Sequence, residues 1–155
     1  RDINSLSEKK LAGFRNREIG FVFQSHNLLN EFNALENVCL PAFISGEAKN
    51  KAEEKATELL KMLGLAKRLK HRPNQLSGGE QQRVAVARAL INSPSIVFAD
   101  EPSGNLDSNN ANELHNLFLK LNKELKQTFV VVTHNKELAD CAHRRLVMEN
   151  GEIIK

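Results

Sequence analysis

The 155-residue sequence has no tryptophan and no tyrosine, and its aromatic side chains are eight phenylalanines. It has no run of 18 or more apolar residues, which excludes a membrane-spanning helix. The first ten residues, RDINSLSEKK, hold no apolar stretch and therefore predict no secretory signal. Cys39 and Cys141 form no CxxC pair, and two scattered thiols are compatible with a reducing compartment. A net charge of +3 is too small to indicate nucleic-acid binding by itself.

Apolar patterns predict an alternation of strands and helices. Short apolar runs predict strands over 19–23, 95–102 and 128–134, and four consecutive apolar residues in the second indicate burial on both faces. Helical periodicity and helix-ending residues predict five helices, at 7–14, about 34–40, 48–63, from the glycines at 78 to Pro94, and 111–125. A further short helix is predicted after 48–63, ending at about residue 71.

Strands alternating with helices predict an α/β fold with a parallel sheet covered on both faces. The helical stretch that starts near residue 34 interrupts this pattern and is expected to be a subdomain inserted between strands, spanning approximately 34–93. A basic surplus over 47–72 indicates a solvated helix face or, alternatively, a docking surface. Asn150-Gly151 within 145–154 predicts a C-terminal β-hairpin.

Polar side chains stand at the ends of the three predicted strands, where ligands bind in open α/β sheets. Gln24 follows the first strand, Asp100 and Glu101 end the second, and His134 ends the third. Each of these polar residues alone would be an ordinary residue at a strand end, but together they predict a ligand-binding site. Because neighbouring side chains diverge at a strand end, Asp100 can hold Mg²⁺, directly or through water, while Glu101 acts as general base.

The stretch LSGGEQQRVAVARAL, residues 76–90, begins a helix with two glycines. Ser77 and Glu80 have the spacing of a capping box, which indicates ordinary helix initiation. The capping box does not explain Gly78 and Gly79, because each interior helical glycine costs about 1 kcal/mol relative to alanine. Glycines at a helix N-terminus let an anion approach the free N–H groups, so they predict a phosphate site.

LSGGEQQRVAVARAL resembles the signature motif of ABC-type ATPases. SIVFADEP is similar to that family's Walker B strand, SGNLD at 103–107 to its D-loop, VVVTH to the strand before its switch histidine, and FVFQ to its Q-loop. Five motifs in the family's order cover essentially the whole chain. The resemblance implies a P-loop NTPase-like parallel sheet core, ATP and Mg²⁺ as cofactors, and ATP hydrolysis.

The resemblance also implies a role for each matching residue. Asp100 would help hold Mg²⁺, Glu101 would polarise the attacking water, and His134 would contact the γ-phosphate. Gln24 would take part both in catalysis and at the metal, sensing Mg²⁺ and the water while lying next to the membrane partner. The signature residues would bind the γ-phosphate of ATP held by a second subunit: Ser77, Gly78 and Gly79. Asp107 would link the two sites across the dimer.

Within the family, FQSHNLLNEFNALENVCLP and HRPNQLSGGE resemble the ATPases of lipoprotein release, macrolide-type efflux and the division-associated complex, and most closely the lipoprotein-releasing type. This implies a homodimer, inner-membrane permease partners, no nucleic acid, and a peripheral position on the cytoplasmic face of the inner membrane. Two departures are Ser103, where threonine is usual, and Asn135, where aspartate is common.

No G-x-x-x-x-G-K-[ST] phosphate loop is present, and the family has it upstream of the Q-loop. Residues 1–155 are therefore expected to be the C-terminal part of one ABC ATPase domain, inactive by themselves. Two other classes of protein stay open. One is an ATPase of DNA repair, which is disfavoured because a compact segment joins Gln24 to Leu76 where such proteins carry long arms. The other is a non-catalytic interaction remnant.

Overall fold

The computed structural model describes residues 3–154, apart from the side chain of Asn4. The α-helices are α1 (Glu8–Glu18), α2 (Ala34–Ile44), α3 (Lys49–Met62), α4 (Gly78–Leu90), α5 (Ser108–Leu125) and α6 (Lys136–Asp140). The strands are β1 (Ile19–Phe23), β2 (Ile96–Asp100), β3 (Thr128–Val132), β4 (Met148–Glu149) and β5 (Glu152–Ile153). Short 3-10 helices occupy Ile3–Ser5 and Pro73–Gln75. None of the helices in this range is both long and apolar enough to cross a membrane.

The central sheet is parallel, in the order β1-β2-β3, which confirms the α/β prediction. The register aligns the last residues of the three strands, so that Asp100 lies between Phe23 and Val132. All three strands therefore end at the same edge of the sheet.

One face of this sheet carries the core. Helix α4 packs closely on β1, where a Cβ added to Gly20 would lie 2.5 Å from the carbonyl oxygen of Ala89. Val22, Val97 and Ala99 are fully buried beneath it. Helix α5 packs against β3 on the same face.

The opposite face of the sheet, which we call the open face, is apolar and accessible. It is formed by Phe21, Phe23, Phe98, Asp100, Val130 and Val132, which line a shallow depression. Phe21 is 46% exposed and Val132 is 60% exposed. The prediction of a sheet covered on both faces is therefore wrong for residues 3–154, because α4 and α5 both pack on one side.

Helices α2, α3 and α4 pack together, but α4 also covers β1, so the proposed subdomain boundary of about 34–93 stays a prediction. The predicted short helix reaching residue 71 is wrong. The chain instead forms turns, in which the N–H of Arg68 and that of His71 each bond to the carbonyl three residues earlier. The carbonyls of Leu69 and His71 accept bonds from the first two N–H groups of α2, at 3.0 and 2.8 Å, and this tertiary pairing competes with a local helix.

The C-terminal hairpin is confirmed, with β4 antiparallel to β5. Asn150 and Gly151 have φ values of 51° and 84°, the left-handed pair of a type I′ turn. The strands are two residues each, shorter than the predicted stretch of 145–154.

Candidate functional site

The sheet register brings the predicted strand-end residues to one edge. Gln24 follows the last residue of β1, Asp100 ends β2, and His134 lies two residues beyond β3. Glu101 follows Asp100 at the end of β2, and its N–H donates to the carbonyl of Val132, the last residue of β3, at 2.9 Å. The strand-end residues that the sequence predicts at one site therefore lie along one edge of the sheet, and their shared role stays a prediction.

Glu101 is the most constrained of these residues. Its φ is +43°, a left-handed conformation that costs about 1–3 kcal/mol for a residue with a side chain. One carboxylate oxygen accepts from the backbone N–H of His134 at 2.9 Å and pairs with its Nδ1 at 2.8 Å. The other accepts from the hydroxyl of Thr133 at 3.2 Å. Because a carboxylate only accepts, Nδ1 of His134 must carry the proton.

These bonds set the charge of the Glu101 carboxylate. Desolvation raises its pKa, but the hydrogen bonds from the His134 side chain and backbone, the electrostatic interaction with His134 and the bond from Thr133 together lower it by more. The pKa therefore lies below its ordinary value. Glu101 is therefore ionised at neutral pH, as a general base must be. The His134 side chain is 85% exposed and can leave this contact without breaking a packed core.

Gln24 is held by a second residue at the same edge, Asn105. Its Nε2 donates to Oδ1 of Asn105 at 3.1 Å, and Nδ2 of Asn105 donates back to the carbonyl of Gln24 at 3.2 Å. The amide oxygen of Gln24 accepts no hydrogen bond from residues 3–154. The residue before Asn105 is a glycine at a position where a Cβ would meet the Gln24 side chain.

Asp100 is exposed at the end of β2, on the open face. Within the described residues there is no cluster of three or more His, Cys, Asp or Glu side chains that could hold a metal alone. One carboxylate and one amide oxygen at the same edge nevertheless fit Mg²⁺, which takes few protein ligands and completes its shell with water and phosphate oxygens. The metal roles of Asp100 and Gln24 stay predictions.

Ser77 and Glu80 form the predicted capping box. The Ser77 hydroxyl accepts from the N–H of Glu80 at 3.2 Å, and the Glu80 carboxylate accepts from the N–H of Ser77 at 2.9 Å. Arg68 donates to the same carboxylate at 2.8 Å, and this bond, followed by that from Ser77, lowers the pKa of Glu80.

The two glycines of the signature helix have different surroundings. Gly78 is exposed, and the nearest atom to an added Cβ would be Cδ2 of Leu106 at 3.6 Å. Gly79 is buried, and an added Cβ would overlap Oδ1 of Asn110 and lie 2.9 Å from its Cγ. The anion-site interpretation therefore fits Gly78, while Gly79 has a packing reason within this chain.

Asp107 has a local task as the N-cap of α5. One carboxylate oxygen accepts from the N–H groups of Asn109 and Asn110, both at 3.0 Å, and the other accepts from Nδ2 of Asn110 at 2.6 Å. The backbone bond from Asn110, followed by its side-chain bond, lowers the pKa of Asp107. The predicted role of Asp107 across a dimer remains a prediction.

Arg88 in α4 supports the loop that follows Gln24. Its guanidinium donates to the carbonyls of His26 and Asn27 at 2.7 and 2.6 Å. Both loop residues have left-handed φ values, 58° and 49°. Helix α4, which begins with the signature residues, therefore also fixes the loop after Gln24, which we call the glutamine loop.

The model of the ABC transporter family matches residues 2–104 of this chain. The chain belongs to this family. It is 61% identical over 153 residues to the lipoprotein-releasing system ATP-binding protein LolD of Cytophaga hutchinsonii, a match covering 99% of this chain and 70% of that protein. The protein of the same name from Bacteroides fragilis is 55% identical over 153 residues, covering 99% and 71%.

A solved structure of the ATP-binding cassette MJ0796, a dimer in a post-hydrolysis state bound to ADP and phosphate, matches this ABC ATPase with a TM-score of 0.84. The identity is 42%, over 98% of this chain and 67% of that one. A second dimeric structure of the same cassette, described as a bacterial ABC transporter cassette, gives the same TM-score at 43% identity.

Sequence reasoning on this ABC ATPase missed the residues that support the site. The sequence predicts no role for Thr133 or Asn105, although both lie within recognised motifs, nor for Asn110, which lies three positions after the D-loop. Asn135, noted only as a departure from aspartate, caps α6 by accepting from the N–H of Leu138 at 3.0 Å. An Asn immediately before a helix start could have suggested this cap, but no local pattern reveals the partners of Asn105.

Proposed function

We propose that this chain is the ATP-hydrolysing part of a lipoprotein-releasing ABC transporter. As part of the complete domain, it would bind Mg-ATP, dimerise with a second copy, and act with permease subunits at the cytoplasmic face of the inner membrane. The observation that carries the hydrolytic part is the Glu101 carboxylate, ionised and held by His134 at the edge where Gln24 and Asp100 also lie. The names of the two curated relatives support the lipoprotein-releasing part.

The geometry suggests how the residues act on ATP. Bound Mg²⁺ would neutralise phosphate charge, with Asp100 and the amide oxygen of Gln24 as its protein ligands. Glu101 would accept a proton from the attacking water, whose oxygen then bonds to the γ-phosphorus as the bond to ADP breaks. His134 and Thr133 now occupy both carboxylate oxygens, so the base is in a resting arrangement.

A change of partner by His134 would convert this arrangement into an active one. Moving the exposed imidazole from Glu101 to a γ-phosphate oxygen would remove one of the two donors on that carboxylate oxygen, which keeps the backbone N–H of His134 and could then accept from the water. The same movement would place an N–H donor where negative charge develops. Gly78 and the free N–H groups at the start of α4 would receive the phosphate of the partner's ATP.

The first test uses what we call the extended chain, in which the segment preceding the matched region of the Cytophaga hutchinsonii relative is placed ahead of residue 1. Glu101→Gln keeps the shape of the side chain and loses the base. We expect ATP hydrolysis to fall about 100-fold or more, while ATP still binds and supports a dimer. Phosphate release and size-exclusion chromatography with ATP measure the two properties.

Glu124→Gln, an exposed substitution on α5, is the matched control and should keep normal hydrolysis. Unchanged hydrolysis in Glu101→Gln would exclude Glu101 as the base. The transported class needs a separate assay: ATP-dependent release of a lipoprotein from membranes containing the permease partners. Hydrolysis without release would favour the macrolide-type or division-associated alternatives.

A further inference from the structure

The pair formed by Gln24 and Asn105 links two loops that are 81 positions apart in the sequence. One bond joins the two side chains, and the other joins the Asn105 side chain to the Gln24 backbone. Because a backbone carbonyl can only accept, Nδ2 of Asn105 must face it, and Oδ1 must face the Gln24 amide. The two bonds therefore fix the orientation of both amides, with Nδ2 of Asn105 toward the Gln24 carbonyl and Nε2 of Gln24 toward Oδ1 of Asn105.

The shape of the loop around Gly104 restricts the same side chain. A Cβ at this position would lie 2.6 Å from Nε2 of Gln24, 3.0 Å from its Cδ and 3.3 Å from its Cγ. The Gln24 side chain thus lies directly on the backbone of Gly104, where no larger residue would fit without moving it. This steric contact is independent of the two hydrogen bonds.

The loop that carries Asn105 is tied to the backbone of Glu101. The N–H of Gly104 donates to the carbonyl of Glu101 at 3.0 Å, and the N–H of Leu106 donates to the carbonyl of Ser103 at 3.1 Å. Asn105 is therefore held in a turn that starts at the candidate base. Through it, the position of Gln24 is set relative to Glu101.

The geometry points to Asn105 as a positioning residue that orients the Gln24 amide so that its oxygen faces the site. Asn105 takes up the N–H₂ end of the amide and leaves the oxygen as the free end. Only the oxygen can bind a cation or accept a hydrogen bond from water, so a rotated amide would present the wrong group. This inference rests on the proposed role of Gln24.

Side-chain amide signals test the contact without any turnover. In ¹⁵N-labelled extended chain, the signal lost in Gln24→Ala identifies the Gln24 amide. We expect Asn105→Leu to move this signal to the position of a solvent-exposed glutamine. Asn105→Asp keeps an acceptor for Nε2 but loses the donor to the Gln24 carbonyl, so it should move the signal less than Asn105→Leu does. An unchanged signal in Asn105→Leu would overturn the proposal.

Magnesium dependence of hydrolysis tests the consequence. Because Asn105→Leu removes the orienting partner, the Mg²⁺ concentration for half-maximal activity should rise about fivefold, the factor that one hydrogen bond contributes. The double variant Gln24→Ala/Asn105→Leu should match Gln24→Ala alone, since Asn105 acts through Gln24. Asn50→Leu is the control and should show normal dependence, because this asparagine is exposed on α3, a helix that packs on α2 and α4.

Independent, additive effects of the two substitutions would overturn the positioning role. A normal magnesium dependence in Gln24→Ala would overturn it as well, because Gln24 would then have no role to support. A normal magnesium dependence in Gln24→Ala would remove Gln24 from the proposed Mg²⁺ ligands. Neither result affects the hydrolytic part of the proposed function, which depends on Glu101 and fails only if Glu101→Gln hydrolyses ATP normally.

Discussion

Replacing Gly79 by alanine tests whether this glycine is required for packing against α5. The added Cβ would overlap the side-chain oxygen of Asn110 and lie 2.9 Å from its Cγ. Asn110 would have to leave this position and its bond to Asp107. Forcing an extra carbon into a packed site costs typically about 1–3 kcal/mol, while alanine gains up to about 1 kcal/mol of helix propensity over glycine. We expect a net loss of about 1–2 kcal/mol in the free energy of unfolding.

Removing the Asn110 side chain should reverse this effect. In Asn110→Ala the overlapping atoms are absent, and the nearest remaining atom to the new Cβ is the Asn110 Cβ at 3.4 Å, an ordinary contact. In that background, Gly79→Ala should be neutral or stabilising by up to about 1 kcal/mol. The double-mutant cycle should therefore show a coupling of about 2 kcal/mol, within the range seen for residues in contact.

Urea unfolding followed by far-ultraviolet circular dichroism is the suitable assay, because the chain has no tryptophan or tyrosine to report by fluorescence. Gly78→Ala is the matched control, since its Cβ would meet only Leu106 at 3.6 Å. Equal destabilisation by Gly79→Ala with and without Asn110 would refute the packing argument. None of these substitutions adds charge, so the cycle is independent of any phosphate bound at the helix start.

Two further substitutions test how α4 holds the sheet and the glutamine loop. Arg88→Met should destabilise the chain by about 2 kcal/mol and speed amide hydrogen exchange at residues 26–27, because two loop carbonyls lose their donors. Unchanged amide exchange would contradict the supporting role of Arg88. Gly20→Ala should lower the free energy of unfolding by about 2 kcal/mol or more, since its Cβ would lie 2.5 Å from the Ala89 carbonyl oxygen. Gly13→Ala is the control and should not destabilise α1, because an added Cβ there has no atom within 4 Å. Similar urea midpoints for the two variants would contradict the close approach of α4 to β1.

The strands and the candidate edge could be predicted because their signals are local. A continuous apolar run such as 96–99 fits a strand in a parallel sheet, and polar residues after such runs fall at one edge once the strands are parallel. The turns over 65–71 differ from the predicted helix because the carbonyls of Leu69 and His71 pair with α2, and no local pattern contains these tertiary bonds. Propensity is a weak guide where tertiary hydrogen bonds compete with it.

The reasons for particular site residues were less accessible. Gly79 and Gly78 look equivalent in the sequence, yet only Gly79 is pressed against Asn110, because the helix turns the two positions in different directions. The Gln24–Asn105 pair depends on how two loops meet in space. Sequence reasoning identified the motifs, while the contacts that support them followed only from the fold.

The open face of the sheet also affects how stability changes with temperature. The heat capacity of unfolding arises mainly from apolar surface that becomes hydrated when the chain opens. Phe21, Phe23, Val130 and Val132 are already partly hydrated in the folded chain, so unfolding hydrates less new apolar surface at these positions. The heat-capacity change should therefore be smaller than chain length alone implies. A smaller change flattens the stability curve, so folding free energy varies less between cold and warm conditions.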